Sequence, residues 1–112
     1  MKIAVSALAP SLDAEVNPKF GRTRWLIVYD SETGSVEKVF NGHNYHAAQG
    51  SGTITADLVV TRSCDVVITG HLSPQAYSVL QKAGIKGYLK SDGTVLEALE
   101  DFKSNRLSQA TI

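Results

Sequence analysis

The residues best equipped for chemistry lie in residues 41–52, which read NGHNYHAAQGSG. This stretch holds His43 and His46, two of the chain's three histidines, and ends in Gly50-Ser51-Gly52. Neutral imidazole is a common ligand for iron and zinc. Zinc asks for three or four protein ligands, so His43 and His46 alone do not make a zinc site, and His71 stands as a third. A hydrolytic centre on His43, His46 and His71 also wants a carboxylate as base or second-shell partner, and none is placed nearby. Gly50 and Gly52, just ahead of an amphipathic segment, suit close backbone approach to an anion; a flexible entry loop fits the same residues. The glycine spacing is not that of a P-loop, and no Lys-Ser/Thr pair follows. Upstream, Phe20-Gly21-Arg22 reads as a core plug, a turn and a guanidinium able to reach an anion, with Lys19 beside it.

The elements that must position these groups follow from patterning. Lys2 to Ala7 (KIAVSA) reads as a buried strand, followed by a long connection over residues 8 to 22. Arg24 to Asp30 and Ser35 to Phe40, joined by Ser31 to Gly34, read as a hairpin. Thr53 to Arg62 reads as a helix with Ile54, Leu58 and Val59 on its apolar face. Asp65 to Gly70 is a wholly apolar strand of the buried kind. Ser73 as N-cap and Pro74 at the first helical position open a second helix, whose stripe is Ala76, Val79, Leu80 and Ala83. Lys86 to Lys90 is a weak fifth strand. Thr94 caps a third helix with Val95, Ala98, Leu99 and Phe102 inward. A single domain spans residues 1–107, and the end of the chain, from 104 and above all 108–112, reads as a frayed tail.

The order βββαβαβα predicts an α/β fold: a mixed five-stranded sheet with three helices covering it as a three-layer structure. Right-handed crossovers give the strand order 3-2-1-4-5, with strand 2 antiparallel, which is ribonuclease H-like. Strands 1, 3, 4 and 5 then end at one edge, where loop 8–22, loop 41–52 and the turns at 70–73 and 91–93 crowd together. All three helix N-termini are expected to open there, beside His43, His46, His71, Lys19 and Arg22. Ligands of open α/β sheets bind outside the carboxyl ends of the strands. Two-metal nuclease chemistry is disfavoured: the first and fourth strands offer Ser6 and Thr69 at this edge, and Asp30 falls at the other.

Composition narrows the function classes. The 112 residues carry 11 basic and 11 acidic side chains, so no net field recruits nucleic acid. No apolar run reaches the roughly 20 residues of a membrane span, and the N-terminus reads as a strand rather than a signal peptide. A cytoplasmic location is expected. The single cysteine, Cys64, excludes an intrachain disulfide and reads as a small packed residue.

Asn17-Pro18-Lys19-Phe20-Gly21-Arg22 followed by the strand ending Tyr29-Asp30 resembles a signature of the dinitrogenase iron–molybdenum cofactor biosynthesis family, which includes NifX-type carriers. Asp65-Val66-Val67-Ile68-Thr69-Gly70, Ser73-Pro74-Gln75-Ala76 and Ala83-Gly84-Ile85 are similar to a second segment of that family, and Thr94-Val95 with Glu97-Ala98 to its closing helix. The resemblance runs from Met1 to about Leu107. It implies a non-enzymatic protein that binds or carries an iron–sulfur or iron–molybdenum cofactor precursor, and partners among cofactor-assembly proteins, as a monomer or homodimer. His43, His46 and His71 would then supply ligands, while Arg22, Lys19 and helix amides near Gly50 and Gly52 would balance the cluster's negative charge. Two positions depart from the pattern: Lys19 stands where a histidine is expected, and Ser73 where the second glycine of a turn is expected. A regulatory or interaction domain binding an anion or a protein partner is the alternative, and a histidine-ligated metal hydrolase a further one.

Overall fold

The computed structural model describes residues 1–42 and 51–111. The elements run β1 (Lys2–Ala7), a 3-10 turn (Phe20–Arg22), β2 (Trp25–Asp30), β3 (Val36–Phe40), α1 (Ser51–Thr61), β4 (Val66–Thr69), α2 (Pro74–Lys82), β5 (Lys86–Leu89), α3 (Val95–Lys103) and β6 (Ser108–Gln109). β1 is β-branched and small, and every residue from Ile3 to Ala7 is buried, so it takes the interior of the sheet. β2 pairs with it antiparallel and β4 parallel, and the full order is β3-β2-β1-β4-β5-β6. The order expected for the first five strands is the order found. At the β2–β3 turn Gly34 takes φ +75° and donates its N–H to the Asp30 carbonyl at 2.8 Å. Trp25 and Phe40, directly opposite each other on that hairpin, meet edge to face at 5.1 Å.

Five strands were expected and six are present. The tail expected to fray carries β6, antiparallel to β5, with Tyr88 opposite Gln109 and Leu89 opposite Ser108. Ala110 is buried behind it and donates its N–H to the Gly87 carbonyl at 2.8 Å. Gly87 permits this: a Cβ there would lie 2.8 Å from Leu72 Cδ1 and 3.4 Å from Ala110 Cβ, so the tail packs on bare backbone. A two-residue strand is too short to show alternation in the sequence.

The sheet buries both faces. Ala4, Leu26, Val28 and Val67 point toward α1 and α2, while Ile3, Val5, Ile27 and Ile68 point toward α3. Each of the Val, Leu and Ile side chains among them contributes about 1.5–3 kcal/mol relative to exposure. Of the expected stripes, α2 buries Ala76 and Leu80 with Val79 half-buried and Ala83 exposed just past its end, and α3 buries Val95, Ala98 and Leu99 with Phe102 half-buried. The face of α1 differs from expectation. Ile54 is 40% exposed, and Thr55, Ala56 and Val59 face inward. Thr55 can do so because its hydroxyl donates to the Ser51 carbonyl at 2.9 Å and accepts from Asn41 Nδ2 at 3.0 Å.

Residues 8–19 form a strap across the strand ends, held by isolated bridges from Val16 to Ala7, Glu15 to Thr94 and Lys19 to His71. Beneath it lies a buried polar cluster. Ser6 Oγ lies 2.6 Å from the Asn17 carbonyl and 2.7 Å from Thr69 Oγ1, and the Asn17 N–H donates to the Ser6 carbonyl at 2.8 Å. Farther along, Thr23 Oγ1 lies 2.8 Å from the Trp25 carbonyl and 3.0 Å from the Ala7 carbonyl, with one hydrogen to give between them. Ser6→Ala leaves the Asn17 carbonyl and the Thr69 hydroxyl short of a buried partner and is expected to cost about 1–3 kcal/mol in urea unfolding. The double variant Ser6→Ala/Thr69→Val should cost less than the sum of the two single changes, because both remove one shared cluster.

On the other side, Lys90 Nζ and Asp101 Oδ2 meet at 2.9 Å, largely shielded, and tie the end of β5 to α3. The hydrogen bond from Lys90 is the main reason the Asp101 carboxyl is held below its usual range, and the same bond pushes the Lys90 ammonium up. Asp101 therefore contributes stability above its unfolded-state pKa that is lost as pH falls through the folded value. Lys90 contributes stability below its unfolded-state pKa that is lost as pH rises through the folded one. Asp101→Asn should lower the melting temperature at neutral pH, and the difference from the parent should shrink as pH falls through the lowered folded-state value of the carboxyl.

Candidate functional site

At the carboxyl ends of the strands, a cleft of about 690 Å³ opens where the strap, the start of α1 and the β4–α2 turn converge. Three close approaches bring those segments together. A Cβ on Gly21 would stand 2.9 Å from Gly52 N and from Ser51 Oγ, one on Gly52 3.0 Å from Ser73 Oγ, and one on Gly70 2.7 Å from Pro18 Cα. At Gly21 and Gly70 the atoms met include backbone, so a side chain there would force the segments apart. Phe20, 1% exposed, anchors the strap in the core beside Ala56, Val59 and Ala76.

Lys19, Gly21 and Arg22 line one wall of the cleft, Ser51, Gly52 and Thr53 a second, and His71, Ser73 and Gln75 a third. The parallel bridge between Lys19 and His71 sets those two residues on adjacent backbone. Lys19 and Arg22 are exposed, so each is worth on the order of 1 kcal/mol toward an anion at contact. No Asp or Glu stands among the described lining residues. The arrangement suits recognition of an anion by charge and short polar donors.

Of the residues singled out in the sequence, Lys19, Arg22, Gly52 and His71 come together in this cleft. His43, His46 and Gly50 lie outside the described residues. Of the three-histidine set only His71 is described, and among the described residues no group of three or more His, Cys, Asp or Glu could hold a metal ion. The expectation that all three helix N-termini open onto this edge needs correction. At α3 the first amides are already bonded within the chain: Val95 N to the Ala14 carbonyl at 2.9 Å, Leu96 N to the Leu12 carbonyl at 3.0 Å and Glu97 N to Thr94 Oγ1 at 3.1 Å. The strap covers that end, and the cleft belongs to α1 and α2.

Ser73, Thr53 and Gln75 were not singled out as site residues in the sequence. Ser73 had one signal, a polar cap directly after the fourth strand, but its contact with Gly52 is tertiary. Cys64 stands at the opposite edge of the sheet, buried, with its thiol pushed up to about 11 chiefly by that burial. It is a packed, unreactive thiol, as the sequence reading held. A second cleft of about 350 Å³, lined by Leu72, Pro74, Tyr77, Leu89 and Ala110, meets the first at His71.

The chain's relatives match this architecture. The family model described as dinitrogenase iron-molybdenum cofactor matches residues 1–105. Among solved structures, the apo form of the orange protein from Desulfovibrio gigas superposes with a TM-score of 0.94 at 34% identity, covering 98% of this chain and 92% of that one. A NifB-like protein from Thermotoga superposes with a TM-score of 0.88 at 31% identity, covering 99% and 94%. A Methanocaldococcus jannaschii protein named as a candidate dinitrogenase shares the fold, with a TM-score of 0.74 at 17% identity over 99% of this chain and 95% of that one. No curated protein sequence matches the chain. No helix among the described residues is long and apolar enough to cross a membrane. With strap, strand ends and closing helix all within the matched span, the chain belongs to the dinitrogenase iron-molybdenum cofactor family.

Proposed function

We propose that this protein is a non-enzymatic carrier for an iron–sulfur or iron–molybdenum cofactor precursor, received at the cleft on the carboxyl edge of the sheet. The observation that carries this reading is the lining itself: Lys19 and Arg22 beside His71, with no carboxylate among the described lining residues. A metal–sulfur cluster brings its own sulfides and a net charge set by its type, so it needs few protein ligands and benefits from cations and donors around it. One imidazole with an open, cationic surround fits such a cargo better than it fits a bare metal ion. His43, His46 and Gly50, immediately ahead of α1 in sequence, are proposed as further contacts. Family membership supports partners among cofactor-assembly proteins and a cytoplasmic setting. The strand order, with β2 antiparallel, supports reading the fold as ribonuclease H-like.

A second reading has one observation in its favour. Lys19, Arg22 and the hydroxyls of Ser51, Thr53 and Ser73 would also receive a simple oxyanion, as in a regulatory domain. A hydrolase on three histidines has less support, because the described lining supplies no base for a metal-bound water.

Anaerobic titration with a synthetic iron–molybdenum–sulfur cluster, followed by optical and EPR spectra, separates these readings. The carrier reading expects one equivalent bound with an altered spectrum. It expects binding about tenfold or more weaker in Lys19→Glu and His71→Ala, and weaker again in His43→Ala/His46→Ala. Absence of binding, or binding that none of these changes diminishes, would exclude it. Tight binding of inorganic sulfate or phosphate with no response to the cluster would favour the regulatory reading.

A further inference from the structure

We infer that Ser73 determines which ligands the cleft accepts, by donating its hydroxyl hydrogen to an anion held between the first turns of α1 and α2. This rests on the cleft being an anion site, as proposed above, and adds the residue that selects for charge.

Two independent contacts locate the hydroxyl. Ser73 Oγ accepts from the Ala76 N–H at 3.2 Å, which caps α2. The same oxygen stands 3.0 Å from the position a Cβ would take on Gly52, so it rests against the first turn of α1. A hydroxyl has one hydrogen to donate and lone pairs to accept with, and the cap engages only the accepting side. Among the described residues the Ser73 hydrogen has no acceptor of its own. Ser73 also lines the cleft, together with Lys19, Arg22 and His71. The cap thus orients a donor into a space that two helix N-termini and two cations make favourable for negative charge.

The position also permits a separation of folding from binding. Asp, Asn and Ser are comparable N-caps, so Ser73→Asp and Ser73→Asn both keep α2 closed. They have nearly the same shape and differ by one charge. In Ser73→Asp the new carboxylate would itself occupy the meeting point of the two first turns, stabilising the fold there while repelling an incoming anion.

The test is titration of the parent, Ser73→Asn and Ser73→Asp with the same synthetic cluster at low and high salt, with thermal unfolding of each apo protein. Ser73→Asp should melt at or above the temperature of Ser73→Asn and bind the cluster at least about tenfold more weakly, with the gap narrowing as salt rises. Ser73→Asn, whose Oδ1 can take the cap bond while Nδ2 still offers a donor, should bind close to the parent and respond to salt as the parent does. Equal affinity of Ser73→Asp and Ser73→Asn, in a parent that binds and that Lys19→Glu weakens, overturns the role of Ser73 and leaves the carrier reading standing. No binding by the folded parent overturns both.

Discussion

The hydroxyl cluster of Ser6, Thr69 and the Asn17 backbone is the constraint on which the carboxyl edge of this protein depends. Ser6 and Thr69 end neighbouring parallel strands, and both are fully buried. Buried hydroxyls are costly unless partnered, and here the Asn17 carbonyl is the partner delivered by the strap. With Asn17 held there, the residues after it are committed. Pro18 lies against Gly70, Lys19 runs beside His71, and Phe20 drops into the core. The location of Lys19 and Arg22 at the cleft thus follows from satisfying two buried hydroxyls beneath the strap.

Much of the fold is legible in the sequence, for local reasons. β1, β2 and β4 are short apolar runs bounded by turn residues. α2 and α3 announce themselves by Ser73-Pro74 and by Thr94, both of which cap as expected. From element order and crossover handedness alone, Lys19, Arg22 and His71 fall at one edge. What the sequence hides is tertiary. Thr55 looks like a solvent-facing residue beside an apolar Ile54, yet the partner that lets it turn inward is Asn41, fourteen residues away. β6 depends on the bare backbone of Gly87, which has no signature in the tail itself. The strap pairs through single bridges, and Ser6 and Thr69 read as ordinary polar residues near strand ends, and Asn17 as a loop residue, until they are seen to meet.

The glycines of the cleft have a similar logic. Gly21 and Gly70 adopt no positive φ, so their role is not conformational freedom. They are places where one backbone rests on another, Gly21 on Gly52 and Gly70 on Pro18. Packing backbone on backbone brings the cleft's polar donors together without interposed side chains. Rigid neighbours of this kind hold a recognition site in place before any ligand arrives, which lessens the ordering cost of binding.

The contrast between α2 and α3 explains why the cleft lies beside α2 and not beside α3. Both helices begin with a hydroxyl cap a short turn after a strand, and both present their N-terminal end to the same edge. At α3 the third helical residue is Glu97, whose carboxylate accepts from the Thr94 N–H at 2.9 Å and is held in its charged form chiefly by that bond. The strap carbonyls of Leu12 and Ala14 take the amides that remain. The positive end of α3 is therefore already answered by the chain's own oxygen atoms. At α2 the first residue is Pro74, without an N–H, and the third is Ala76, without a side-chain charge. Nothing in the α2 cap supplies a negative charge, and the residues facing it across the cleft, Lys19 and Arg22, are cations. One helix end is neutralised from within, while among the described residues no such acidic partner is built at the other.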